Sequence, residues 1–358
     1  MINILDNQKA YGKLDSGRVA ESIESLAAQM KQVVDEADFI KVPAEYRQAN
    51  QVVVNGMGGS NIGIGLIKSA LGGKIKAPIT ITAGYFVPAM VNNQTLYIIS
   101  SYSGNTEESL SVYDEVKKRG AKIMAIGEAG DNQLARLMSK DHIPGYSFKP
   151  ENNPSGQPRL GLGYSVIGVA MLLYKSGLLE IDKNELSGII SKLDLFNENL
   201  KVKRIFKANL AKRFALKLHK KIPVLVGAEF LTGNLGLLRN QFNETSKNFA
   251  AYFELPDMNH FALEGLSHPQ KNKDNLIFFF FDSDLYHPRV VRRAELTKRI
   301  VKKNKIKFLE HRLTGGSKFE QAMEMLQLGA WVTYYLAMLN NVNPVKIKWV
   351  DWFKKELG

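Results

Sequence analysis

The sequence predicts an α/β protein with two parallel sheets that follow one another along the chain and are covered by helices. Apolar segments rich in β-branched residues alternate with helical segments, which is the pattern of repeated βαβ units. The order of elements in the second half is similar to that in the first, although no sequence repeat is visible. With 358 residues, 45% of them hydrophobic, the chain can fill the cores of two such domains.

The first half begins with a predicted helix at about residues 15–37, where apolar residues recur at helical spacing. Strands are predicted at residues 51–55, 79–83, 95–101 and 122–126, and helices at residues 61–71 and 106–119. Asn105 and Glu108 are typical of a capping box at the start of the latter helix. A turn-rich segment at residues 149–159 then precedes a helix at about residues 163–176.

A polar connector near residues 182–200 leads into the second half. Strands are predicted there at residues 222–226, 250–255, 275–281 and 305–309, and helices at residues 234–246, 285–303, 319–340 and 347–357. We therefore expect two domains with a boundary around residues 180–205. The first comprises residues 1–185 with the leading helix, and the second comprises residues 200–358 with the C-terminal helix.

The composition narrows the classes of function. The chain has no cysteine, which excludes disulfides, thiolate metal sites and a cysteine nucleophile. Its six histidines show neither His-x-His nor His-Glu-x-x-His spacing, so we expect no metal site. There is no apolar run of membrane-spanning length and no N-terminal signal pattern, and we expect a cytoplasmic protein without a membrane partner.

The chain is basic, with a formal net charge of +13. Much of this charge lies in residues 201–221 and 292–307, and a nucleic-acid surface is one interpretation of such stretches. Neither stretch carries aromatic residues spaced for base stacking, and no zinc-finger or RNA-recognition motif accompanies them. We therefore interpret them as solvated helix faces and disfavour a nucleic-acid partner. A basic surface would also attract an anionic metabolite.

Two strand–loop–helix junctions about forty residues apart carry glycines and hydroxyls. The first, at residues 52–61, has Asn61 where a dinucleotide fingerprint needs its third glycine, and it lacks the Gly-Lys-Ser/Thr of a nucleotide P-loop. The second places Ser101, Ser103 and Thr106 within six residues, which is more than helix capping requires. Together they predict a site for an anion with many oxygens, such as a sugar phosphate.

The two loops resemble those of the SIS (sugar isomerase) domain family, whose Ser-x-Ser-Gly-x-Thr loop holds a sugar phosphate. Three later segments resemble, in order, segments of the bifunctional phosphoglucose/phosphomannose isomerases: GQPRLGLGY, NQFNETSKNFAAYFELPDMNH and NPVKIKWVDWFKKEL. The similarity covers nearly the whole chain. It implies two tandem SIS-type three-layer domains with mainly parallel, flavodoxin-like doubly wound sheets. It also implies a homodimer whose active sites are shared between subunits.

The reaction that the resemblance implies interconverts glucose 6-phosphate, and mannose 6-phosphate, with fructose 6-phosphate through an enediolate, with no cofactor. Glu244 aligns with the glutamate that transfers the proton, and His260 aligns with the ring-opening histidine that comes from the neighbouring subunit. Arg159 aligns with an arginine that stabilises the oxyanion. Lys354 aligns with a lysine near the ring oxygen, with Lys355 as the alternative register.

The same resemblance identifies a set of substrate ligands in the two loops: Gly59, Ser60, Ser101, Ser103 and Thr106. The chain departs from the family at Val345, which replaces a threonine linked to the surroundings of C2, and in residues 261–265. Glucose 6-phosphate and mannose 6-phosphate differ only at C2. A change in the surroundings of C2 therefore leaves open which of the two aldoses the protein prefers.

Two other functions are compatible with parts of this pattern. One is a phosphosugar-binding SIS regulator that acts on nucleic acid, although we see no helix-turn-helix extension of the kind such a regulator carries. The other is a glucosamine-phosphate deaminating or transferring isomerase. The absence of a cysteine nucleophile argues against the transferring form.

Overall fold

The computed structural model describes residues 2–358 and contains two parallel sheets. The first is formed by β1 (Gln51–Gly56), β2 (Ile79–Thr82), β3 (Thr95–Ser100), β4 (Lys122–Glu128) and β5 (Gly145–Phe148), in the order β2-β1-β3-β4-β5. The second is formed by β6 (Ile222–Ala228), β7 (Ala251–Leu255), β8 (Leu276–Asp282) and β9 (Lys307–Arg312), in the order β7-β6-β8-β9. Both sheets begin with the same flavodoxin-like order, which confirms the predicted doubly wound α/β class.

The helices precede, connect and follow these strands. In chain order they are α1 (Ile2–Leu5), α2 (Gln8–Leu14), α3 (Val19–Glu24), α4 (Leu26–Glu36), α5 (Gly59–Ala70), α6 (Glu107–Ser111), α7 (Tyr113–Lys118), α8 (Gln133–Lys140), α9 (Leu162–Lys175), α10 (Lys183–Glu198), α11 (Leu210–Leu218), α12 (Thr232–Glu244), α13 (Ala262–Gly265), α14 (Asn272–Asn275), α15 (Pro288–Lys303), α16 (Lys318–Leu339) and α17 (Lys348–Leu357). The leading helix predicted at 15–37 is two helices, α3 and α4, that meet at Ser25. The helix predicted at 106–119 is likewise divided into α6 and α7 at Val112.

The first sheet has a separate apolar layer on each face. Val53, Tyr97 and Ile99 pack on one side with residues of α7 and α8. Val52 and Val54, which alternate with Val53 along β1, face the opposite layer, to which α4, α5 and α9 contribute. Because side chains alternate across a strand, an unbroken apolar run such as β1 requires cover on both faces. The result is the three-layer arrangement that the sequence predicts.

The prediction of a polar connector between the two halves is wrong. The segment predicted as a polar connector near residues 182–200 contains helix α10, whose buried residues Leu186, Ile189 and Leu193 have helical spacing. The side chain of Asp182 caps this helix by accepting a hydrogen bond from the backbone N–H of Asn184 at 2.8 Å. Strand β5 and helix α11 were not predicted at all.

The predicted capping box at α6 is also wrong. Thr106, and not Asn105, is the residue that precedes the helix, and its side chain makes no capping bond. The side chain of Asn105 turns to α8 instead, where its oxygen accepts the backbone N–H of Gln133 at 3.1 Å. The loop is thus bound to a neighbouring helix rather than to its own.

Helix α16 joins the two halves of the molecule. It is buried along nearly its whole length and packs on α11 and α12 of the second half and on α3 and α10, which precede them. The ring of Tyr334 stacks on that of Tyr11 with 5.9 Å between centroids, and Gln327 donates to the backbone carbonyl of Ile23 at 3.1 Å. Within residues 2–358, α16 and the other helices all lack the combination of length and apolarity that crossing a bilayer demands.

Candidate active site

The first loop forms a tight link between β1 and α5. Gly58 has φ 52° and ψ −127°, a conformation that glycine adopts without strain, and α5 begins at Gly59 with no side-chain cap. Gly59 lies against the backbone of Arg159, because a Cβ added to this glycine would stand 3.4 Å from the Cα of Arg159. Ser60 is buried, and its hydroxyl accepts the backbone N–H of Tyr102 at 3.1 Å. The first loop therefore touches both the second loop and the arginine segment.

The second loop is held by its own hydroxyls. Ser101 is buried, and its Oγ donates to Oγ1 of Thr106 at 2.8 Å and accepts the Thr106 backbone N–H at 3.3 Å. Ser103 is exposed, and its Oγ accepts the N–H of Asn105 at 3.4 Å. Gly104 has φ 69°, and a Cβ there would overlap the side chain of Asn132. The predicted ligands of the two loops thus lie together at the carboxyl edge of the first sheet, beside β1 and β3.

Arg159 lies in a short 3-10 helix, Pro158–Leu160, with a side chain that is only 9% exposed. Its Nη2 donates to the carbonyl oxygens of Pro344 at 3.0 Å and Val345 at 2.7 Å, and its Nη1 donates to Oε1 of Gln157 at 2.8 Å. Burial lowers the pKa of Arg159, while the charge of Glu244 acts in the opposite direction. An arginine stays protonated under such a shift, so a fixed positive charge stands at this point.

Glu244 ends helix α12 and faces Arg159 from the second half of the chain. Its Oε2 lies 3.9 Å from Nε of Arg159, and Nε makes no hydrogen bond with any described residue. The carboxylate is 32% exposed and lines a cleft of about 570 Å³, to which Arg239, Asn243 and Tyr252 also contribute. The structure therefore brings the predicted base and the predicted oxyanion residue together, with the base open to a cleft.

His260 does not join this group within one chain. It ends a 3-10 helix, Asp257–His260, and is exposed. Glu244 precedes β7 whereas His260 follows it, and the five residues of this strand extend over roughly 16 Å.

Lys354 and Lys355 lie on α17, in which no residue is buried. Both lysines are exposed. Burial lowers the pKa of Arg159, and the charge of Asp351, on the same helix, acts in the opposite direction. The structure thus places α17 beside the site but does not bring Lys354 into contact with the other predicted residues.

Val345 stands at the wall of the site. Its carbonyl accepts Nη2 of Arg159, while its side chain packs against Gly17, where an added Cβ would overlap the valine. The position that departs from the family pattern is therefore adjacent to the arginine, through its backbone rather than its side chain.

Lys247 belongs to this site and was not predicted. Its ammonium donates to the backbone carbonyls of Glu244 at 2.7 Å, Thr245 at 3.3 Å and Pro344 at 3.2 Å. Burial, reinforced by the like charge of Arg159, lowers the pKa of Lys247 to about 8. The signal was present in the NETSK segment, three residues after Glu244, but only the fold shows that Pro344 lies beside it.

Comparison with known proteins places this geometry in a family. A SIS domain model matches residues 45–143, and the model of the bacterial phospho-glucose isomerase C-terminal SIS domain matches residues 207–357. The bifunctional phosphoglucose/phosphomannose isomerase of Caldicellulosiruptor bescii is 32% identical over 340 residues, which are 94% of this chain and 98% of that protein. The chain belongs to the bifunctional phosphoglucose/phosphomannose isomerase family. The resemblance to this family that the sequence shows is therefore confirmed. Membership in the family places the chain among isomerases rather than regulators.

Other bifunctional phosphoglucose/phosphomannose isomerases and solved structures agree. The enzyme of that name from Aquifex aeolicus is 31% identical over 310 residues, which cover 86% of this chain and 90% of the relative. A hypothetical protein from Thermus thermophilus superposes with a TM-score of 0.77 at 15% identity, covering 98% of this chain and 93% of that one. A glucose-6-phosphate isomerase like protein from the same organism gives a TM-score of 0.58 at 18% identity over 95% of this chain and 96% of that chain. At such identities the structural matches establish the fold.

Proposed function

We propose that this protein is an aldose–ketose isomerase that interconverts glucose 6-phosphate, and mannose 6-phosphate, with fructose 6-phosphate. The observation that carries the proposal is the Glu244 carboxylate, which lies 3.9 Å from the buried guanidinium of Arg159 next to the two hydroxyl-rich loops. The relatives from Caldicellulosiruptor bescii and Aquifex aeolicus are named bifunctional phosphoglucose/phosphomannose isomerases, which supports the same choice of substrates.

In this reaction Glu244 removes the proton from C2 of the open-chain aldose, and the electron pair of the C–H bond forms the double bond of an enediolate. The oxygen at C1 then carries negative charge, which the fixed positive charge of Arg159 stabilises. The hydroxyl proton on O2 then passes to O1, the carbonyl forms at C2, and Glu244 returns the carbon-bound proton to C1, which yields the ketose and restores the carboxylate. The Nε–H of Arg159 has no hydrogen-bond partner among residues 2–358 as described, so it can donate to such an oxygen without first breaking another bond.

The loops are proposed to hold the phosphate through Ser60, Ser101, Ser103 and Thr106, with Gly59 allowing close approach of the backbone. Their mutual hydrogen bonds support a loop whose shape is formed before the substrate arrives. Pre-formed donors reduce the entropy that binding must overcome. Residues 1–185, with the first sheet, would then bind the substrate, and residues 200–358, with the second sheet, would supply the base.

We further propose a homodimer in which His260 opens the sugar ring in the site of the other copy. The placement of Glu244 before β7 and of His260, exposed, after it supports an intermolecular role. Helix α17 supports a partner as well, since it leaves Trp349, Trp352 and Phe353 more than half exposed. Lys354 would complete the site when this helix is covered.

The test is a coupled assay with fructose 6-phosphate that reads out both aldose products. We expect turnover by the wild type and a fall in kcat of about 10²- to 10⁴-fold in Glu244→Gln, which keeps the shape of the side chain but cannot take a proton. Glu295→Gln, at an exposed surface ion pair, is the control that should stay at wild-type activity. Binding of the sugar phosphate without turnover, or a Glu244→Gln variant as active as the control, would refute the proposal.

A further inference from the structure

The ammonium of Lys247 is fully occupied by backbone carbonyls. Its three acceptors, on Glu244, Thr245 and Pro344, match the three hydrogens that a protonated lysine can donate. No hydrogen of the ammonium is left to contact a substrate, so the lysine holds backbone segments together and does not act as a catalytic group. The lysine has φ 52°, a conformation that few non-glycine residues adopt, and its ammonium reaches back to the carbonyl of Glu244, the last residue of α12.

The carbonyl of Pro344 is shared. It accepts from Lys247 at 3.2 Å and from Nη2 of Arg159 at 3.0 Å. Two positively charged side chains from distant parts of the sequence therefore converge on one oxygen of the segment that leads into α17. Through this oxygen, the last turn of α12, which carries Glu244, is connected to the guanidinium that faces it.

We propose that Lys247 is a positioning residue of the isomerase site, which fixes the separation between the Glu244 carboxylate and the Arg159 guanidinium by binding Pro344. The proposal rests on the proposed isomerase function. A simpler role is that of a helix C-cap, since two of the acceptors are carbonyls at the end of α12. Capping does not require the third bond to Pro344, which crosses to a segment 97 residues away.

The two roles differ in what they predict for catalysis. A cap that only stabilises α12 would lower the melting temperature and leave the chemistry of the folded enzyme intact. A residue that fixes the distance between Glu244 and Arg159 affects the proton-transfer step, in which both groups take part. A displacement of about 1 Å at a catalytic pair can lower the rate roughly a hundredfold. Phosphate binding by the two loops should be unaffected in either case.

The experiment compares Lys247→Met, which keeps the aliphatic stem, with Lys305→Met as a matched control. Like Lys247, Lys305 lies just after a helix and has a positive φ, but its side chain forms no hydrogen bond with a described residue. We expect Lys247→Met to lose about 10- to 100-fold in kcat, with KM and inhibition by inorganic phosphate within about threefold of the control. A phosphorylated five-carbon aldonate, which resembles the enediolate, should bind more weakly to Lys247→Met than to the control, by a factor similar to the loss in kcat.

Lys247→Arg should recover most of the lost kcat, because a guanidinium also donates to several carbonyls. If Lys247→Met does not fold, Lys247→Gln is judged by the same criteria. An active wild type together with a folded Lys247 variant whose kcat lies within about twofold of Lys305→Met would overturn the proposal. An effect on KM alone, with kcat intact, would also overturn it. A wild type without isomerase activity would instead refute the proposed function.

Discussion

Arg159 is the residue at which charge, burial and geometry combine most closely. It binds two carbonyls with Nη2, binds Gln157 with Nη1 and presents Nε to Glu244, an arrangement that uses all sides of a planar guanidinium. We expect Arg159→Lys to lower kcat by about 10²-fold, since a single ammonium cannot make these contacts together. Steady-state kinetics with fructose 6-phosphate check this, with Arg136→Lys, an exposed ion-pair residue, as the control. A kcat equal to that of the control would mean that Arg159 only holds the C-terminal segment.

At this scale the sequence predicts what lies within recognisable motifs. Glu244 and Arg159 were predicted because the segments around them resemble those of the family, and the structure places the carboxylate 3.9 Å from the guanidinium. Lys247 lies in the same segment as Glu244, but its role depends on a contact with Pro344 that no local pattern contains. Lys354 was found by resemblance and lies on an exposed helix whose environment a single chain does not define.

The loop between β3 and α6 offers a prediction about an element. Gly104→Ala places a Cβ into the side chain of Asn132 and forces a non-glycine residue to φ 69°. We expect the free energy of unfolding to fall by about 1 kcal/mol or more and KM for fructose 6-phosphate to rise, because the loop must move away from α8. Urea unfolding and kinetics measure the two effects.

Gly188→Ala is the matched substitution for that test. Gly188 is exposed within α10, and an added Cβ would meet no atom within 4 Å. Here the free energy of unfolding should rise by about 0.5–1 kcal/mol, since alanine loses less entropy in a helix. If both glycine variants behaved alike, the close packing of Gly104 on Asn132 would not be what holds this loop.

Elements were predicted best where apolar runs are long. Strands β1, β3 and β8 were recognised because both faces of each are covered, which leaves few polar residues in them. Strand β5 is short and half polar, so periodicity could not separate it from the turn-rich segment that follows. Helix α10 carried a readable signal at Leu186, Ile189 and Leu193, but its many polar residues suggested a connector.

The whole molecule provides a test of the shared active site. Subunits carrying Glu244→Gln and subunits carrying His260→Ala should each be inactive alone. Co-expressed in equal amounts, half of the dimers are hybrids with one intact site of two, so about a quarter of wild-type activity should return if the sites are shared. Purification with two different affinity tags isolates the hybrids for the assay. Without any recovery, Glu244 and His260 would have to act within one chain or not together.

At the scale of the molecule, the alternation of strands and helices was sufficient to predict two parallel sheets of similar construction. It did not predict how the halves meet, because contacts such as that of Tyr334 with Tyr11 join residues more than three hundred positions apart. Periodicity identified α16 as a helix, but only its surroundings in the fold explain why it is buried on every side.

The position of helix α16 determines whether either half of the chain can be stable without the other. Because this one helix fills the core of the second half and also covers the N-terminal helices, each half lacks an essential wall when it is made alone. A substitution near the N-terminus, for instance at Tyr11, is therefore expected to disturb the packing of the C-terminal half as well. Because the packing of both halves includes this helix, we expect them to unfold in one transition rather than one after the other.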